Sequence, residues 1–216
     1  MALFLQHKEH SWQWAVWKMD EGIEELLNLL PVSLKAEYEK EIQRFTSEHR
    51  RQEWLSVRVL LFTLLGEKKE IGYKSSGKPY LVDGSFYISI SHTKGYVAVI
   101  LSSEVPVGID IEQYGKRIHK VIDRFIRPDE QVGSYQEDIT WGLLLHWSAK
   151  ETVFKYMKDP DADLRKLCLS PFIPQKEGQF QLREYVTEQK QLFDVGYRIN
   201  SDFVLTWVAG GRIYIG

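Results

Sequence analysis

Apolar and polar positions change period several times along this chain, and each change marks an element. Trp12-Gln13-Trp14-Ala15-Val16-Trp17 alternates with period two and is rich in strand formers. Glu21 to Leu30 has helical spacing and is ended by Pro31, and Ser33 is placed to cap a helix from Leu34 to about Phe45. Ser47 caps the next helix, which carries Trp54, Leu55, Val57, Leu61, Phe62 and Leu65 and stops at Gly66, with Arg50, Arg51 and Arg58 along it. Gly72 to Lys78 reads as a loop. Phe86 to Ser91 and Tyr96 to Leu101 read as the strands of a hairpin turning at His92-Thr93-Lys94-Gly95.

Pro106 then opens a strand, Val107 to Glu112. Ile118, Val121, Ile122 and Phe125 follow the i, i+3, i+4, i+7 spacing of an amphipathic helix that Pro128 closes. The spacing from Ile139 to Met157 predicts a long helix, and Asp159-Pro160-Asp161 breaks it. Residues 161 to 178 read as loop. Strands follow at Phe180 to Leu182, Leu192 to Val195 and Phe203 to Val208, with a last short one at Ile213-Tyr214-Ile215. Each half thus has helices, one long apolar helix, and a hairpin or meander. This order predicts an α+β chain of two similar lobes, 1–104 and 105–216.

Composition narrows the picture. A chain of 216 residues can bury a sizeable core, and a net charge of −2 excludes a general polyanion binder, so no nucleic-acid partner is expected. The only cysteine, Cys168, forbids an intramolecular disulfide and a zinc site built on several cysteines. Met1 to Leu5 is too short for a signal-peptide core, and no run is long enough to cross a bilayer, so a soluble cytoplasmic protein with no membrane partner is expected.

The candidate chemistry lies in the second half. Leu143, Leu144, Leu145, Trp147, Val153, Phe154 and Met157 make the long helix apolar almost all round, as in a buried helix, yet it carries Lys150, Glu151 and Lys155. Glu151 and Lys155, four apart, share a face, which by itself fits an ordinary salt bridge. In Val107-Gly108-Ile109-Asp110-Ile111-Glu112 the two acids project from one strand face, roughly 7 Å apart. Such a pair repels unless a cation stands between, and hard oxygen ligands suit Mg²⁺ or Mn²⁺. A solvated outer strand face accounts for the same pattern.

Gly108-Ile109-Asp110-x-Glu112 followed by Trp147-Ser148-x-Lys150-Glu151-x-x-x-Lys155 resembles the signature of the 4′-phosphopantetheinyl transferases, of the larger, monomeric Sfp type. Gly77-Lys78-Pro79-Tyr80 and Ser89-Ile90-Ser91-His92 extend the resemblance upstream. It implies two pseudo-symmetric α/β lobes with the active site in the cleft between them. It also implies a holo-[acyl-carrier-protein] synthase activity: the 4′-phosphopantetheine arm of coenzyme A passes to a serine of an apo acyl or peptidyl carrier protein, and adenosine 3′,5′-bisphosphate leaves. By the same resemblance Asp110, Glu112 and Glu151 hold Mg²⁺ (or Mn²⁺), Glu151 is the base for the serine, and Lys155 neutralises the departing bisphosphate. Asp110, Glu151 and Lys155 are then catalytic. Arg50, Arg51, Lys78, Pro79, Ser91, His92 and Lys155 contact coenzyme A, with 1–104 supplying the phosphate and adenine contacts and 105–216 the acids and the catalytic helix. Lys150 takes a structural or phosphate role, and Arg58 a structural one.

A basic stripe of Arg117, Lys120, Arg124 and Arg127 fits either carrier docking or a solvated face. Two other readings are kept: another Mg²⁺-dependent phosphotransferase or pyrophosphohydrolase built on the same acids, and a non-catalytic binder of coenzyme A or a carrier protein.

Overall fold

The computed structural model describes residues 3–157 and 163–211, so the breaker at Asp159-Pro160-Asp161 and the strand expected at Ile213-Tyr214-Ile215 lie outside the described residues. The chain divides into two units, Met1–Glu104 and Val105–Gly216.

In the first unit, β1 (Leu3–Lys8), β2 (Trp12–Lys18), β5 (Tyr87–Thr93) and β6 (Tyr96–Ser102) form an antiparallel sheet in the order β1-β2-β6-β5, and β3 (Ile71–Tyr73) pairs with β4 (Pro79–Leu81). Three helices, α1 (Ile23–Asn28), α2 (Val32–Ile42) and α3 (Glu48–Leu65), build a core with one sheet face. Trp17, Val97, Val99 and Leu101 meet Leu26, Tyr38, Leu55 and Leu60 there. The Ser47 hydroxyl accepts from the Arg50 amide, and Gly66, at φ +71°, closes α3 in the left-handed conformation that glycine adopts without strain. Ser33 is not a cap: α2 starts at Val32 behind Pro31, two residues earlier than the serine suggests. Three strands, β1, β3 and β4, fall where none was expected. Leu3–Lys8, weighed only as a leader, alternates and pairs with β2, and part of the 72–78 loop belongs to β3. Arg58 is buried, stacks 3.6 Å over the Trp54 ring and donates to the Trp54 carbonyl, as its structural reading requires.

In the second unit, β7 (Val107–Gln113), β8 (Leu167–Leu169), β9 (Glu177–Glu184), β10 (Leu192–Ile199) and β11 (Phe203–Ala209) form an antiparallel sheet in the order β7-β11-β10-β9-β8. The short strand β8 lies inside the stretch expected to be loop; three residues are too few to show a period. The segment Lys116–Arg124 is a 3-10 helix and not an α-helix. Its apolar side still packs, with Ile118 and Phe125 buried in the core, but at three residues per turn positions i and i+3 eclipse. Arg117 and Lys120 therefore align with Asp123, and Arg124 leaves that line.

Helix α4 (Ile139–Tyr156) lies over β7 and β11 and is buried along most of its length. Its N-cap is Asp138, whose carboxylate accepts from the Thr140 amide. The helix seats closely because Gly108 has no side chain: a Cβ there would lie 2.3 Å from the Thr152 carbonyl oxygen. One step along, Thr206 stands opposite Asp110 in the β7–β11 register, and its hydroxyl meets those of Ser148 (2.9 Å) and Thr152 (2.6 Å). A third anchor is ionic. Lys150 is fully buried and donates to Glu130 (2.7 Å) and to the Phe125 carbonyl, while Glu130 also accepts from the amides of Arg127 (2.9 Å) and Leu169 (2.8 Å). Burial pushes the Lys150 ammonium down from its ordinary range, and Glu130 opposes that shift. Among the described residues, no helix is long and apolar enough to cross a membrane.

Two stability outcomes follow. Gly108→Ala places a methyl group against helix backbone that cannot yield locally, and overpacking of this kind costs about 1–3 kcal/mol; urea denaturation measures it. Glu130→Ala strands a buried ammonium and two amides, at a cost of about 3–5 kcal/mol. A midpoint unchanged in either variant contradicts the corresponding anchor.

Candidate functional site

The three acids and Lys155 meet where α4 crosses β7. Period two sends Gly108, Asp110 and Glu112 to the strand face under the helix. The solvated-face alternative for this strand fails, because Val107 to Ile111 are all buried, Asp110 at 3 % exposure. Lys155 Nζ donates to Asp110 Oδ1 at 2.7 Å, so the short ion pair of Lys155 crosses from helix to strand. Glu112 accepts from the Trp147 indole N–H at 2.9 Å, which fixes one of its oxygens.

The acids feel one another. Burial, and then the charge of Asp110, raise Glu112 from 4.5 to about 7 against the opposing pull of the Trp147 N–H and Lys155. Burial and Asp110 raise Glu151 in the same way, opposed by Lys155. Crowded carboxylates of this kind gain from a cation among them. Lys155 supplies one positive charge. As placed, however, no three His, Cys, Asp or Glu side chains among the described residues stand close enough together to hold a metal ion. The expected trio is thus one electrostatic neighbourhood and not a formed triad, although its donor chemistry, three hard oxygen ligands, suits a divalent cation.

The expected coenzyme contacts lie in the first unit. Ser91 and His92 are neighbours on β5 and so face opposite sides of the sheet, Ser91 buried and His92 exposed. Arg50 and Arg51 also part company: Arg50 bonds Glu53 at 2.8 Å, whereas Arg51 Nε donates to the Phe45 carbonyl at 2.7 Å. Lys78 and Pro79 are half-buried at the start of β4. Of the basic stripe, Arg127 is held by Asp129 and the Arg165 carbonyl, while Arg117, Lys120 and Arg124 are exposed. Cys168 is half-buried and burial pushes its thiol up, as in an inert cysteine.

Sequence reasoning missed Glu53, Thr206 and Glu130. The argument that singles out the charges of α4, an acid inside an apolar helical run, also singles out Glu53. Glu130 sits between elements, where no period marks it.

Residues 106–208, nearly the whole of the second unit, match the 4′-phosphopantetheinyl transferase superfamily. The chain is 30% identical over 121 residues to the 4′-phosphopantetheinyl transferase AcpT of Escherichia coli K12, a stretch covering 49% of this chain and 57% of that protein. It is 41% identical over 64 residues to AcpT of Salmonella typhi, covering 29% and 33%. The chain therefore spans about half the length, or less, of these relatives. The matched region holds the acids of β7 together with the helix that carries Glu151 and Lys155, and it is over residues 106–208 that this chain is similar to the 4′-phosphopantetheinyl transferase superfamily.

Proposed function

We propose that the protein transfers the 4′-phosphopantetheine arm of coenzyme A to a serine of an apo acyl or peptidyl carrier protein, as an enzyme of the Sfp type. The observation that carries this reading is the group formed by buried Asp110 with half-buried Glu112, Glu151 and Lys155 at the crossing of β7 and α4, inside the region matched to the superfamily.

In the reaction the serine oxygen forms a bond to the β-phosphorus of the coenzyme, and the bond from that phosphorus to the bridging oxygen of the α-phosphate breaks. Adenosine 3′,5′-bisphosphate departs with that oxygen and its electron pair. Glu151 takes the serine proton; its raised pKa suits a base better than an ordinary exposed carboxylate would. Lys155, one turn on, supplies positive charge for the departing bisphosphate. Asp110, Glu112 and Glu151 would hold Mg²⁺, or Mn²⁺, which when bound neutralises the pyrophosphate. Lys155 already bonds Asp110, so that carboxylate would serve both the lysine and the ion, and the Trp147 N–H holds one oxygen of Glu112. The exposed Arg117, Lys120 and Arg124 suit the acidic helix of a carrier protein.

Mass spectrometry of apo carriers incubated with coenzyme A and Mg²⁺ should show the added arm. Bisphosphate release without a carrier would point to a pyrophosphohydrolase, and coenzyme binding without turnover to a non-catalytic binder. Asp110→Asn and Glu151→Gln should each lower kcat on the order of 10³-fold or more, the loss of several kcal/mol of transition-state stabilisation. Near-wild-type turnover in either would remove that residue from the mechanism.

The raised carboxylates also set a pH dependence. Between 4.5 and about 7 the unfolded chain releases the Glu112 proton before the folded chain does. Stability therefore falls as pH rises through that window, and Glu151 acts with the same sign. In EDTA the melting temperature should drop from pH 5 to 7.5 more steeply in wild type than in Glu112→Gln, and millimolar Mg²⁺ should restore more of it at the higher pH. Parallel slopes in the two proteins would contradict the assignment. Transfer should rise over the same range as the acids ionise.

A further inference from the structure

A second charged group stands in the first unit, at the start of α3 and the end of β5. Its centre is Glu53, a carboxylate only 7% exposed. One oxygen meets His49 Nε2 at 3.1 Å and His92 Nδ1 at 3.2 Å; the other accepts from Arg50 Nη1 at 2.8 Å. The three partners are about half exposed, with side-chain values of 54%, 48% and 60%. The acid is therefore inside and the nitrogen-bearing groups are outside. A solvated salt bridge has no such polarity, and a structural buried pair such as Lys150–Glu130 covers both members. An acid placed beneath several basic side chains gathers them at one point and presents their outer edge to an anion.

The ring geometry sharpens this. Binding of Nδ1 to the carboxylate places a proton on Nδ1, fixes the plane of the ring, and leaves Nε2 on the side away from Glu53. Glu53 holds Arg50 by the same means, and Arg51, bonded elsewhere, is not part of the group.

We propose that Glu53 is a positioning residue: it sets the ring of His92 and the guanidinium of Arg50 for one phosphate of coenzyme A, and brings His49 to the same phosphate as a further ligand. The proposal rests on the reading above that His92 and Arg50 meet a coenzyme phosphate.

The test is a double-mutant cycle on the full chain, with coenzyme A and a competent apo carrier. Glu53→Gln, whose melting temperature is checked first, should raise the KM for coenzyme A roughly tenfold, the effect of weakening one charge-assisted hydrogen bond. The kcat and the KM for the carrier should move less than twofold. His49→Ala should raise the same KM several-fold. Because Glu53 acts through its partners, Glu53→Gln should raise the KM by a smaller factor in the His92→Ala background than in wild type; fully additive effects overturn the proposal. If His92→Ala and Arg50→Ala leave the KM for coenzyme A unchanged in an active enzyme, the phosphate reading fails and the proposal with it. Nitrogen-15 NMR of the imidazoles is independent of activity. Wild type should carry a proton on His92 Nδ1, lost or exchanging in Glu53→Gln; a bare Nδ1 in wild type overturns the proposal even if transfer is confirmed.

Discussion

Helix α4 approaches its sheet more closely than any side chain on the strand beneath would permit, and the arrangement of the second unit depends on that approach. With Gly108 under the Thr152 carbonyl, the helix backbone rests almost directly on β7. Asp110, two residues along the strand, then comes within 2.7 Å of Lys155, and Glu112, two further, reaches the Trp147 indole. A side chain at position 108 would lift the helix and open both contacts together. The burial that, ahead of the charge of Asp110, raises Glu112 and Glu151 has the same origin: a helix resting this closely on its strand leaves little room for water around these acids.

Much of this was legible in the chain. The alternation from Val107 to Glu112 places the two acids on one face, and the all-round apolar run from Leu143 to Met157 marks a buried helix carrying charges that need partners. Those partners were harder to read. Lys150 answers to Glu130, twenty residues earlier in a segment without regular structure, and Thr206 becomes the seat of α4 only through its register opposite Asp110. Period reports which residues share a face; it does not report which strand lies alongside or which loop folds back. The helical spacing of Ile118 to Phe125 predicts burial well and helix type poorly, since apolar residues three and four apart satisfy a 3-10 segment almost as well as an α-helix.

The charged groups around Glu130 and around Glu53 solve different problems. At Lys150 and Glu130 the ions are fully enclosed and every described bond is to protein, so the pair joins the 3-10 segment, β8 and α4. At Glu53 the acid is enclosed and its partners are half in water. Enclosed pairs hold a structure together; half-enclosed ones keep a surface charged in a fixed pattern, which is what recognition of a small anion needs.

Because α4 is apolar on nearly every side, the hydrophobic effect, which has no direction, leaves the helix almost indifferent to spin about its own axis. Something else must choose the azimuth. Trp147, Ser148, Lys150, Thr152 and Lys155 all meet polar partners, and their bearings around the axis differ by the 100° per residue of the helix. Together they act as keys in keyways. Turning the helix by one residue would carry Glu151 toward the pocket built for a buried ammonium or, in the opposite sense, Lys150 toward the acids. The polar contacts therefore contribute less to how tightly this helix binds its sheet than to its having a single rotational setting, and the chemistry of residue 151 depends on that setting.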